Sequence, residues 1–130
     1  MSLVFDTSIL IAIERAEKET VEKLEKLQKV YPAPPQLTFV SFFEYLIGLK
    51  TFKNKSFESN FAFLKKFNVL HTTNSSADIL SDLKIKYDRK GISLSLADLL
   101  SASIVADNNL ILVTKDTDFE KIEELKKILL

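Results

Sequence analysis

Asp6, Glu44, Asp98 and Asp116 each interrupt or directly follow an apolar stretch, in settings where a carboxylate is avoided unless something stabilises it. Leu3-Val4-Phe5 leads into Asp6, Phe42-Phe43 into Glu44, Leu94 to Ala97 surround the approach to Asp98, and Leu110 to Val113 precedes Thr114-Lys115-Asp116. A carboxylate in low-dielectric surroundings costs several kcal/mol unless a salt bridge, a raised pKa or a bound cation compensates. No Lys or Arg lies within three or four residues of Glu44 or Asp98, so a local ion pair is not on offer. A shared metal ion is the leading explanation.

The donor set narrows the ion. The chain has no Cys and a single His, His71, which removes zinc-thiolate sites, disulfides and thiol nucleophiles together. Oxygen-only ligands select a hard cation, Mg²⁺ or Mn²⁺. Such an ion acidifies water and neutralises phosphate oxygens, so the chemistry suggested is metal-assisted phosphodiester hydrolysis. Thr7, Ser8 and Thr114 stand beside these acids and can orient a ligating carboxylate or a water, or equally cap a helix or turn.

Elements to position the acids follow from the hydrophobic pattern. Residues 2 to 5 read as a short buried strand ending at a helix N-terminus, Ser8 to Arg15 as a short helix, and Glu17 to Val30 as an amphipathic helix with Val21, Leu24, Leu27 and Val30 on one face. Pro32, Pro34 and Pro35 stop it. Gln36 to Phe39 is β-prone, and Ser41 to Leu49 reads as a helix opened by Ser41 with Glu44 three residues on, Gly48 allowing close packing. Asn54 or Ser56 to Phe67 carries an aromatic stripe of Phe57, Phe61 and Phe67 that belongs by default to the core and otherwise to a partner surface. Asn68 to Thr72 is a brief strand, Ser75 to Lys90 a helix ended at Gly91, and Ser95 to Asp107 a helix apolar nearly all round. Ile111 to Val113 is a strand, Thr117 to Leu125 a short helix, and Lys126 to Leu130 its continuation or an edge strand. Strands alternating with helices argue an α/β domain with a parallel sheet.

In such sheets ligands bind beyond the carboxyl ends of the strands. Asp6 follows the first strand, Asp116 the Ile111 strand by three residues, Glu44 lies in the first turn of the helix after the second strand, and Asp98 in the first turn of the helix opened by Ser95. Each has a bland reading as a cap or turn residue. Together, however, four carboxylates at one sheet edge repel strongly unless a cation sits between them.

Asp6-Thr-Ser-Ile-Leu, Glu44 in a mid-chain helix, Leu96-Ala-Asp98-Leu-Leu-Ser-Ala-Ser and Leu112-Val-Thr-Lys-Asp116-Thr-Asp118-Phe119 resemble the PIN-domain nucleases, in particular the small VapC-type toxins, across essentially the whole chain. The resemblance implies a three-layer α/β fold, a short central parallel sheet flanked by helices. It matches Asp6, Glu44, Asp98 and Asp116 to the family's acidic quartet and Asp118 to a further acid found in some members. It also implies Mg²⁺- or Mn²⁺-dependent ribonuclease activity, a homodimer, and a cognate antitoxin whose tail enters a groove near the active site. Two other functions stand beside it: an RNA-processing nuclease without an antitoxin, and a PIN-like binding protein that does not cut. A haloacid-dehalogenase-type phosphatase fits less well, because Ser8 occupies the place of its second Asp. A receiver domain lacks its phosphorylated Asp, since Val69-Leu70 leads into His71-Thr72-Thr73.

At 130 residues one domain is expected, residues 1–130, with about two-thirds of its unfolded surface buried. Two glycines and three prolines in a chain that is 46% hydrophobic exclude disorder. The 18 basic and 18 acidic side chains cancel, which gives no global attraction for a polyanion. Local basic groups at Lys50, Lys53 and Lys55, at Lys65 and Lys66, and at Lys84, Lys86, Arg89 and Lys90 read first as solvated helix faces. With no basic leader and no apolar run near the roughly 20 residues of a membrane span, the expected setting is cytoplasmic.

Overall fold

The computed structural model describes residues 1–52 and 56–130. Lys53 and Lys55 of one basic group, and the earlier of the two helix starts at Asn54, lie outside the described residues. The elements run β1 (Leu3–Phe5), α1 (Thr7–Glu14), α2 (Lys18–Val30), β2 (Gln36–Thr38), α3 (Phe39–Thr51), α4 (Phe57–Leu64), β3 (Asn68–Leu70), α5 (Asn74–Arg89), α6 (Leu96–Asp107), β4 (Ile111–Thr114), a 3₁₀ turn (Thr117–Lys121) and β5 (Lys127–Leu129). All strand pairings are parallel, in the order β3-β2-β1-β4-β5.

Side-chain alternation along the strands builds three layers. From β1, Leu3 and Phe5 join Ile9 and Leu10 of α1, Leu24 of α2, Tyr45 and Leu49 of α3 and Leu64 of α4 in one core, while Val4 points the other way. Val4 and Leu112 pack with Leu83 and Tyr87 of α5, Leu99, Ala102 and Val105 of α6, and Phe119. The sheet is therefore sandwiched between α1–α4 and α5–α6. The chain leaves β1 toward β2 on one side and returns to β4 on the other, so β1 and β4 flank a switch point, the place where an open parallel sheet forms a crevice beyond its strand ends.

Several boundaries differ from the sequence expectation, each for an identifiable reason. α3 opens at Phe39, because Thr38, extended at φ −80 and ψ 158, accepts a hydrogen bond from Ser41 N. Ser41 is thus inside the helix, and Glu44 lies in its second turn. The aromatic helix ends at Leu64, and the stripe serves the core: Leu64 is fully buried, and Phe57, Phe61, Phe63 and Phe67 pack half-buried against the same cluster. Phe63 meets Phe67 edge to face at 5.2 Å. Exposed large apolar groups include Phe39, Phe43 and Ile47 on α3 and Phe52 just beyond its end, with Val30, Ile85 and Leu96 on other helices.

The helix expected over Thr117 to Leu125 shrinks to the 3₁₀ turn. Phe119, Ile122 and Leu125 are buried at the anticipated three-residue spacing, but Glu123 N donates to the Tyr87 hydroxyl at 2.8 Å instead of to a carbonyl one turn back. The last segment is the edge strand β5, paired with β4. Gly91 stands after α5 at φ 69, as the sequence implies. Among the described residues no helix is long and apolar enough to cross a membrane.

Candidate metal centre

β1 and β4 deliver the first two acids. Asp6 is the N-cap residue of α1, its backbone N–H tied to Val113 O at 3.0 Å, which extends the β1–β4 ladder to the acid itself. Its side chain is only 8% exposed and is held by two hydroxyls: Thr114 Oγ1 donates to Asp6 Oδ2 at 2.9 Å, and Ser8 Oγ to the same oxygen at 3.1 Å. Both hydroxyls also accept from the loop after β4, Thr114 Oγ1 from Asp116 N at 3.0 Å and Ser8 Oγ from Lys115 N at 3.0 Å. One carboxylate oxygen of Asp6 is thereby wired to the backbone that carries Asp116. Ser8 and Thr114 thus both hydrogen-bond to Asp6.

Asp116 in turn accepts from Asp118 N at 2.9 Å, capping the 3₁₀ turn. Asp98 arrives from the opposite layer, in the first turn of α6, where its backbone N–H donates to Ser95 Oγ at 3.0 Å. Carboxylate oxygens of Asp98, Asp116 and Asp118 lie within 4.8 Å of one another. Burial pushes the Asp98 carboxyl above its ordinary value; hydrogen bonding with Ser95 works against this, and the charges of Asp116, Asp6 and Asp118 add to it. Asp6 is thus near enough for its charge to act on Asp98, though it stands outside the group of three.

Glu44 is placed differently. It is exposed on α3 and accepts from Thr7 Oγ1 at 2.9 Å, so the residue next to Asp6 links it to the site's edge, outside the tight group of three. It also lines a groove of about 450 Å³ between α1 and α3, with Thr7, Ile11, Glu14, Arg15, Tyr45, Gly48, Leu49 and Phe52. Tyr45 is 4% exposed, and its hydroxyl has no hydrogen-bond partner among the described residues. Burial first, then the nearby Glu14 carboxylate, push that hydroxyl up to about 12. Glu14, Arg15 and Tyr45 gave no sequence signal, because a groove between two helices depends on their packing and not on either helix alone.

The donor chemistry fits a hard divalent cation. Asp98, Asp116 and Asp118 each offer a carboxylate oxygen within 4.8 Å of the others and would together hold such an ion, which would supply positive charge to the centre. No sulfur or imidazole competes among them.

Fold and site together define a parallel-sheet α/β protein with a cluster of acids at its switch point. The PIN domain family model matches residues 3–125, and the chain belongs to that family. No curated protein sequence matches it. Solved structures do: VapBC2 from Rickettsia felis bound to a fragment of its promoter DNA is 23% identical, with a TM-score of 0.85 over 100% of this chain and 99% of that one. VapBC-1 from nontypeable Haemophilus influenzae is 18% identical, with a TM-score of 0.82 over 99% and 98%. VapBC-5 from Mycobacterium tuberculosis, a member of a family of toxin–antitoxin systems, is 21% identical, with a TM-score of 0.75 over 100% of both.

Proposed function

We propose that the chain is a Mg²⁺- or Mn²⁺-dependent ribonuclease and the toxin of a toxin–antitoxin pair, with Asp6, Glu44, Asp98 and Asp116 as its acidic quartet and Asp118 beside them. The observation that carries this is the gathering of Asp98, Asp116 and Asp118 within 4.8 Å, with Asp6 acting on the same centre. When bound, the ion supplies neutralisation of phosphate oxygens and acidification of water. The protein supplies the rest. Thr114 and Ser8 hold one Asp6 oxygen in a fixed direction, leaving the other for the ion. Burial disfavours the charged form of Asp98, with the charges of Asp116, Asp6 and Asp118 adding to it, and a cation offsets that cost. Thr7 holds Glu44 at the edge of the centre, on the groove side.

Incubation of the purified chain, free of any partner, with single-stranded and structured RNA should give fragments only when Mg²⁺ or Mn²⁺ is present. Cleavage that persists in a chelator, or in both Asp6→Asn and Asp98→Asn, overturns the mechanism.

The antitoxin reading draws on the similar structures, which are VapBC complexes, and on the groove. Its acids Glu14 and Glu44 suit a basic side chain, and its Ile11, Leu49 and Phe52 an apolar one. Gly48 adds a further point. Mid-helix glycine costs about 0.5–1 kcal/mol relative to Ala, and a Cβ added here would meet nothing within 4 Å. Nothing among the described residues demands the glycine, whereas an antitoxin segment lying against α3 would. Gly48→Ala should stabilise the free chain by about 0.5–1 kcal/mol in urea unfolding and weaken capture of the co-expressed antitoxin. Unchanged capture by both Gly48→Ala and Gly48→Leu would remove the groove from this role. The homodimer is assigned to the exposed face of Phe39, Phe43 and Ile47, and a monomer in sedimentation equilibrium would remove it.

A further inference from the structure

The acidic centre must admit a polyanion, yet the chain has no net positive charge. The cations near the centre therefore decide how RNA approaches, and most lysines with an ion pair are spoken for elsewhere. Lys115 reaches Glu17 at the start of α2 at 2.8 Å, Lys86 holds Glu123 and Glu124, and Lys84 holds Asp88 on its own helix. Lys121 differs. Its Nζ lies 3.0 Å from Asp118 Oδ1, and Asp118 is one of the three gathered carboxylates.

The 3₁₀ turn sets this pair. Residues i and i+3 eclipse in such a helix, so Lys121 stacks over Asp118, while Asp116 caps the same turn. The two side chains are 48% and 51% exposed, so the pair contributes little to stability and its ammonium is open to solvent. Four aspartates act on this centre, and one divalent ion leaves it negative. A lysine held at its rim supplies the positive charge that a phosphate needs there.

We propose that Lys121, held at the rim by its ion pair with Asp118, binds a backbone phosphate of the RNA strand beside the metal centre. The inference rests on the nuclease reading and adds to it a substrate contact. Binding of a labelled single-stranded oligoribonucleotide of mixed sequence, with Ca²⁺ replacing Mg²⁺ to slow cleavage, tests it. Lys121→Met should weaken binding about fivefold and reduce the slope of log affinity against log salt by about 0.7, the effect of one lost phosphate contact on a single strand. Lys121→Arg should keep both. Mn²⁺ affinity, read by calorimetry without RNA, should not fall in Lys121→Met, because the ammonium is not a ligand.

Equal affinity and slope for Lys121→Met and wild type overturn the contact. Mn²⁺ binding that falls in Lys121→Met along with RNA binding also overturns it, since the lysine would then act through the metal centre. A wild-type chain that cleaves while Lys121→Met is unchanged sinks this inference alone; one that neither binds nor cleaves RNA sinks the nuclease reading with it.

Discussion

Asp98→Asn should melt at a higher temperature than the wild-type chain in the absence of metal, and yet lose RNA cleavage by on the order of a thousandfold. The stability gain follows from the raised Asp98 pKa, caused by burial and by Asp116, Asp6 and Asp118. A group whose folded pKa is raised favours the folded state fully below its unfolded value, about 3.9 for Asp, and loses that contribution as pH rises through the folded value. Above its folded value the wild type therefore bears the whole penalty of an ionised Asp98, and Asn bears none. The gap between the two melting temperatures should close as pH falls to about 4. Adding Mn²⁺ should reverse the order, since an ion at a hundredfold excess over its Kd contributes about 2.7 kcal/mol to the wild type and less to the variant. Melting curves with and without Mn²⁺ across this pH range decide it. Equal metal-free melting temperatures at every pH would mean that the acids do not repel in the folded chain.

The positions of the acids were legible because each sits beside a strong local pattern. Leu3-Val4-Phe5 and Ile111 to Val113 announce buried strands, and Ser95 announces a helix whose first turn holds Asp98 through the Ser95–Asp98 cap. The α/β class followed from their alternation with helices. What failed depended on partners far along the chain. Tyr87 takes the Glu123 N–H from 36 residues away, which ends the 3₁₀ turn where a continuous apolar spacing predicts a longer helix. Thr38 claims Ser41 N, moving the start of α3 to Phe39 and Glu44 into the second turn. The same cause hides the groove and Lys121. A three-residue offset between Asp118 and Lys121 is an ordinary surface pair until the fold brings Asp98 up to the other side of Asp118.

Thr114→Val carries the other large effect, with the opposite sign on stability. Thr114 is fully buried; its hydroxyl donates to Asp6 Oδ2 at 2.9 Å and accepts from Asp116 N at 3.0 Å. Valine keeps the shape and removes both contacts, leaving a buried carboxylate short of a donor and a backbone N–H without an acceptor. Hydrogen bonds to charged groups contribute about 1.5–3 kcal/mol each, so a loss of about 2–3 kcal/mol is expected in urea unfolding of the metal-free chain. Losing the group that orients a ligating carboxylate should also weaken Mn²⁺ binding about 10–100-fold at temperatures well below melting. Thr114→Ser retains the oxygen and should restore metal affinity, at a cost of about 0.8 kcal/mol for the missing methyl. The pairing of results is what discriminates: Asp98→Asn weakens metal binding and stabilises the metal-free chain by removing a charge, whereas Thr114→Val weakens it and destabilises by leaving charges in place without their hydrogen bonds. Mn²⁺ affinity unchanged in Thr114→Val would show that the hydroxyl secures the β1–β4 packing and does not aim Asp6 at the ion.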